Sequence, residues 1–218
     1  MLWVFDVNET LLDLAPLDAV FARHTGEPTL RTAWFDLVIH TALATTAAGQ
    51  YRDFSQIGGA CARAVAEAHG TPLTDAGLAE FAATMRQLPA HPDVADSLDL
   101  LRQQGHRLVA LANSPQAVVE AQLTHAGLAP RLAAVYSVEH VQALKPSPAA
   151  YRMVLQREGV DPDQAVMVAA HDWDIAGAQA IGMRTAFVAR GGRRSLPLWP
   201  APDATGADLG AAITRLKG

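Results

Sequence analysis

The hydrophobic pattern of this chain changes regime twice. Leu2 to Phe5 is a short unbroken apolar run, the signature of a strand buried on both faces, and polar residues begin abruptly at Asp6. From about Pro16 to Leu88 the residues favour helices, with Ala-rich segments at Ala42 to Ala48 and Ala60 to Ala68 and few β-branched runs. From His91 onward, strand and helix patterns alternate. Strands are predicted over Leu108 to Leu111, Ala133 to Ser137, Val166 to Ala169 and Thr185 to Val188. Helices are predicted over Pro115 to His125, Pro148 to Glu158 and Ile175 to Ile181. Gly105, Gly127, Gly159 and Gly182 fall near the ends of helical segments, where a left-handed cap is wanted. Alternation of this kind predicts an α/β fold, a doubly wound parallel sheet with right-handed crossovers, interrupted early by a helical insertion. The expected division is a core of residues 1–14 and 90–218 and a helical cap of residues 15–89. The Gly- and Pro-rich tail from Gly191 to Gly206 reads as a loop, with Arg190, Arg193 and Arg194 in solvent.

Composition narrows the function classes. With 218 residues and 50% hydrophobic content, the chain can bury one large core, or a core and a smaller cap. A net charge of -5 offers no broad basic surface, so neither nucleic acid nor an anionic membrane is an expected partner. No apolar run approaches the roughly eighteen residues of a membrane span, and no charged leader precedes an apolar segment, so a cytoplasmic location is the default expectation. The single cysteine, Cys61, lies in an Ala-rich amphipathic stretch and reads as a small core residue. No metal site can be built from cysteines.

Asp6 is the first candidate for chemistry. A carboxylate just past a buried strand stands at the carboxyl edge of the sheet, where open α/β folds bind their ligands. There it can act as metal ligand, base or nucleophile. The run Asp6-x-Asn8-x-Thr10-Leu11 resembles the first motif of the haloacid dehalogenase superfamily, in which the first Asp is a covalent nucleophile. Most of that superfamily are phosphatases with a second Asp two residues on, which protonates the leaving alcohol. Here the position is Asn8, and an amide cannot donate and recover a proton. A halide leaving group needs none, so the resemblance points to the 2-haloacid dehalogenases of type II, the (S)-2-haloacid class.

Three later segments match that family in order. Ala112-Asn113-Ser114-Pro115 stands where the family has a Ser or Thr followed by Asn; Ser114 is expected to cap a helix whose free amides would receive an anion. Lys145-Pro146-x-Pro148, with Tyr151 six residues after Lys145, resembles the third motif, and a Lys ammonium would keep a buried nucleophilic Asp ionised. In Ala169-Ala170-His171-Asp172-Trp173-Asp174, the resemblance implies that Asp174 holds Lys145 and that Trp173 walls the pocket. His171 departs from the family's Asn, Ala169 from its Ser and Ala112 from its hydroxyl residue. In the cap, Phe35 replaces an Arg that normally receives the halide. Aromatic edges of Phe35 and the indole N–H of Trp34 are substitute halide contacts, with Ile39 and Phe54 lining the pocket, and Arg31 and Arg52 are reserve cations.

These residues imply a mechanism. Asp6 attacks C2 of a short 2-haloalkanoate, the halide leaves, and water activated by His171 and Glu9 cleaves the aspartyl ester. Backbone amides after Asp6, Thr10 and Lys145 would stabilise the oxyanion. The resemblance implies no cofactor and no metal, and homodimers are common in the resembling family. Two other readings are open on the sequence alone: a magnesium-dependent phosphatase using Asp6 with Asp172 or Asp174 as ligands, and a pocket that binds without turnover, suggested by Ala112, Ala169 and Phe35.

Overall fold

Six strands carry the apolar runs of the chain into one sheet. The computed structural model describes residues 1–216, so the last two residues of the expected core lie outside the described residues. The strands are β1 (Leu2–Phe5), β2 (Arg107–Ala112), β3 (Ala134–Ser137), β4 (Ala165–Ala169), β5 (Arg184–Val188) and β6 (Ala204–Gly206). Their order is β3-β2-β1-β4-β5-β6, and every pairing is parallel. All residues of β1 and β4 are buried, because helices cover both faces, which is why these strands read as continuous apolar runs. The chain leaves β1 towards β2 and β3 on one side and returns to β4 on the other. β1 is therefore the switch point, and the crevice beyond its carboxyl end is the expected ligand site.

Five helices separate β1 from β2 in the chain, and the first four form the helical block: α1 (Pro16–Thr25), α2 (Leu30–Ala47), α3 (Phe54–Ala68) and α4 (Asp75–Met85). Phe21, Trp34 and Phe81 bind α1, α2 and α4 together, with Trp34 edge-on to Phe81 at 5.0 Å and Phe21 edge-on to Phe81 at 6.0 Å, and the Trp34 indole N–H donates to Gly58 O of α3. The two crossings into this block are joined. Asp13 N donates to Pro89 O, His91 N donates to Leu11 O, and Leu12 bridges Ala90. Any rigid motion of the helical block must work through that short neck.

The remaining helices are α5 (Val94–Gln103), α6 (Gln116–His125), α7 (Pro148–Glu158), α8 (Asp172–Gln179) and α9 (Leu209–Leu216). Gly105, Gly127, Gly159 and Gly182 all adopt positive φ, as the helix-end reading requires. Two expectations need correction. The helix predicted from Ile175 begins at Asp172, whose Oδ1 accepts from Trp173 N, so Asp172, Trp173 and Asp174 form the first turn of α8. The tail is not a plain solvated loop. Asp203 Oδ2 accepts from Thr185 N and seats β6 beside β5. Arg190 forms a two-pronged pair with Asp93 at 3.0 and 3.1 Å and donates to Thr10 O, tying the tail to the loop after β1. Among the described residues, no helix is long and apolar enough to cross a membrane.

Candidate active site

Strand ends assemble the site. β1, β2 and β4 deliver Asp6, Asn113 and His171 to one edge, Lys145 arrives from the segment before α7, and Asp174 from the first turn of α8. Asp6 N still donates to Val168 O, which fixes the nucleophile candidate on the sheet. The loop beyond turns tightly, with Leu11 N and Leu12 N both donating to Val7 O. Within it Glu9 takes a left-handed backbone, φ 60, which an L residue adopts at a cost of about 1–3 kcal/mol. That cost is offset by the bonds its carboxylate makes.

Each oxygen of Asp6 has its own partners. Oδ1 accepts from Lys145 Nζ at 2.7 Å; Oδ2 accepts from Thr10 Oγ1 at 2.6 Å and lies 3.3 Å from His171 Nδ1. Thr10 Oγ1 in turn accepts from Ala170 N, so one hydroxyl locks the loop after β1 to the loop after β4. The Lys145 ammonium uses all three protons, on Asp6, on Asp174 Oδ2 at 2.6 Å and on Leu111 O at 3.2 Å. Lys145 is 1% exposed and Asp174 is fully buried, so this bridge works in a low dielectric. Burial alone would raise the Asp6 carboxyl, but Lys145 and His171 beside it hold it far below the usual carboxylate range. Burial would lower Lys145, and the carboxylates of Asp174 and Asp6 raise it instead.

His171 forms the second arm. Its Nε2 lies 3.0 Å from Glu9 Oε2, and Arg193 Nη2 donates to the same oxygen at 2.6 Å. An Nε2–H donated to Glu9 leaves no lone pair for the Arg193 Nη1 found 3.3 Å away, so that approach is proximity and not a second bond. Burial would depress the imidazole, yet hydrogen bonds to Asp6 and Glu9 raise it to about 8. Glu9 is opposed by burial but held below its ordinary value by His171 and Arg193. The imidazole is sandwiched, 5.5 Å from Phe35 and 5.3 Å from Trp173. Asp6, Asn8, Phe35, Ile39, Phe54, Asn113, His171 and Trp173 enclose a space of about 20 Å3, room for on the order of one water. Gln122 Nε2 donates to Asn8 Oδ1 at 3.4 Å and Lys145 N to Asn113 Oδ1 at 2.8 Å, which leaves both amide NH2 groups for the pocket.

The structure does not bring every expected residue to this space. Trp34 faces away: its indole N–H donates to Gly58 O at 2.9 Å, so it offers a halide nothing. Tyr151, fully buried, donates to Asp174 Oδ1 at 2.6 Å and orients that carboxylate without reaching the pocket. The contact is close because Gly177 has no side chain; a Cβ there would stand 2.5 Å from the Tyr151 hydroxyl. Ser114 does not cap α6. Pro115 holds the cap position with ψ 150, and Gln116 N donates to Glu139 Oε2, so that helix end already has its anion. Arg52 is exposed and donates to the neighbouring Tyr51 O. Arg31 pairs with Asp18 at 2.6 Å and stands 3.7 Å from Glu9. Asp174 gives both oxygens to Lys145 and Tyr151, and Asp172 Oδ1 binds its own helix, so neither is arranged as a magnesium ligand. Arg193 was not expected here. Its signal was position, in the loop after β5 at the same edge of the sheet.

A family model described as haloacid dehalogenase-like hydrolase matches residues 2–182. The chain is 28% identical over 196 residues to (S)-2-haloacid dehalogenase 1 of Pseudomonas sp. (strain CBS-3), covering 86% of this chain and 83% of that protein. It is 34% identical over 148 residues to a phosphoserine phosphatase of Thermus thermophilus, covering 67% of this chain and 59% of that one. The crystal structure of an L-2-haloacid dehalogenase superposes with TM-score 0.94 at 27% identity, over 99% of this chain and 98% of that chain.

Proposed function

The chain belongs to the haloacid dehalogenase-like hydrolases, and from that premise we propose that it hydrolyses (S)-2-haloalkanoic acids through an ester on Asp6, without a metal. The observation that carries this reading is the pair of arms on Asp6: a buried Lys145 on one oxygen, and the His171–Glu9 pair on the other. A phosphatase needs a proton donor beside the nucleophile, and Asn8 has none to give.

In the first step an Asp6 oxygen attacks C2 with inversion, the carbon–halogen bond breaks, and its electrons leave with the halide. In this reading the NH2 groups of Asn8 and Asn113 receive the substrate carboxylate, and the edge of Phe35 and the protonated His171, which line the same space, receive the departing halide. His171 thus supplies the cation that Phe35 lacks. In the second step His171, which has lost its proton to solvent after the halide departs, takes a proton from water as the water adds to the ester carbonyl; on collapse it returns that proton to the leaving oxygen, so Asp6 is restored and the 2-hydroxy acid is released. The Lys145 ammonium, 2.7 Å from Asp6 Oδ1, stabilises the oxyanion formed on the way.

Purified protein in excess EDTA should release halide from 2-chloropropionate at an undiminished rate, read by a halide electrode. Silence with haloacids, together with magnesium-dependent release of phosphate from phosphate esters, would overturn the reading. Arg193→Met should cost far less than any change at Asp6. Its pair with Glu9 is 40% exposed on the Arg side, worth about 1 kcal/mol, so halide release should slow by about five-fold. A loss of several hundred-fold in steady-state rate would show that Arg193 does more than hold Glu9.

A further inference from the structure

Beyond Phe54 lies a second cavity of about 290 Å3, walled by Trp34, Gly59, Leu78, Phe81, Met85 and Val118. It is roomy and mostly apolar, with Ser55, Arg86 and Ser114 as its polar lining, whereas the space at Asp6 is small and mixes Asp6, Asn8, Asn113 and His171 with aromatic walls. The two share a wall one side chain thick. Phe54 lines both. Trp34 faces the large cavity and its neighbour Phe35 the small one; Ser114 faces the large cavity and its neighbour Asn113 the small one. Rotation of the Phe54 ring, at the first residue of α3, would join them.

The small space cannot hold a long chain on C2, and of the larger cavities that share walls with it, the one past Phe54 is the most apolar. The large cavity is suited to receive such a chain: a dry cavity of about 150 Å3 holds benzene, so this one has room for a phenyl ring or a chain of about six carbons. Arg86 is the one charged side chain in the lining, and each methylene that the chain buries against the apolar walls is removed from water. We propose that this cavity is an acyl-chain pocket, and that the enzyme prefers 2-haloacids bearing a long alkyl or an aryl substituent. The proposal rests on the dehalogenase reading and deepens it by naming the substrate class.

Gly59 gives the means of testing it. It lies inside α3 on the cavity wall, and a Cβ built on it meets nothing within 4 Å, so Gly59→Ala fits without displacing an atom and Gly59→Leu takes up more of the space. It touches nothing at Asp6. Halide release should be compared for 2-bromopropionate, 2-bromohexanoate and 2-bromooctanoate in the wild type, Gly59→Ala and Gly59→Leu.

In the wild type, kcat/KM should climb roughly three- to four-fold per added methylene until the cavity is full. Gly59→Leu should lose at least ten-fold on 2-bromooctanoate and stay within two-fold on 2-bromopropionate, with Gly59→Ala between. Inhibition by unhalogenated octanoate should weaken in parallel. Halide from 2-bromopropionate with no gain for longer acids overturns the acyl pocket and leaves the dehalogenase reading intact. Halide from none of the acids overturns the reading beneath it. If Gly59→Leu fails to fold, the wild-type chain-length series and octanoate inhibition still decide.

Discussion

Lys145→Met should abolish halide release and also unfold more readily than the wild type, by about 3–5 kcal/mol in urea titration. The reason is the same for both effects. Lys145 is buried between Asp6 and Asp174, and its three protons satisfy two carboxylates and the Leu111 carbonyl. Without the ammonium, two carboxyls face each other in a dry site. Burial already raises Asp174, with Asp6 adding to the effect and Lys145 opposing it. The chain will relieve the conflict by protonating one or both, and a protonated Asp6 is no nucleophile. A double variant, Lys145→Met with Asp174→Leu, separates stability from chemistry. It removes the second carboxyl along with the cation, so much of the lost stability should return while activity stays absent. A double variant as unstable as the single one would mean that Lys145 stabilises through packing alone. A single variant that still releases halide would remove Lys145 from the mechanism.

How far the site could be read in advance depended on what fixed each residue. Asp6, Asn113 and His171 each follow a buried strand, and parallel strands bring their ends to one edge whatever the loops do, so those three were legible. Trp34 and Phe35 were not separable. Adjacent helix residues point about 100° apart, and only the position of α2 over the sheet decides which ring meets His171 and which turns to Gly58. Ser114 was misjudged because the sequence offers a good cap there, while the structure satisfies that helix end with Glu139 from beyond β3. Tyr151 illustrates a similar limit: its spacing from Lys145 was visible, but its partner, Asp174, depends on α7 packing against α8 at Gly177. Arg193 lies in a segment with neither period nor motif, so composition suggested solvent; its pairing with Glu9 follows from the tertiary path of the tail.

His171→Ala should stop the reaction halfway. Alkylation of Asp6 keeps its carboxylate in the variant and loses the cation beside the halide, so it slows but still outpaces a hydrolysis that has lost its base. Hydrolysis needs a base, and general base catalysis contributes about 10²–10⁴-fold. The variant should therefore give a burst of halide close to one per enzyme and then slow by that factor, with the acyl mass found on the peptide containing Asp6. Steady turnover with no trapped ester would exclude His171 as the base. The resting imidazole, raised to about 8, is mostly protonated at neutral pH and so appears unfit for that task. The ester resolves this. Alkylation removes the negative charge 3.3 Å from Nδ1, one of the two carboxylates that hold the proton there, while burial continues to favour the neutral ring. The same histidine is a cation while the halide departs and a base once it has gone. Its raised value also has a thermodynamic reading with a definite sign. The proton bound in the folded state contributes fully below the ordinary value near 6.5 and is lost as pH rises through about 8, so wild-type stability should fall by about 2 kcal/mol across that window relative to the variant. Parallel unfolding curves of the two proteins at pH 6 and pH 9 measure it; an unchanged difference between them would mean that the Asp6–His171–Glu9 pairing does not hold the proton in the free enzyme.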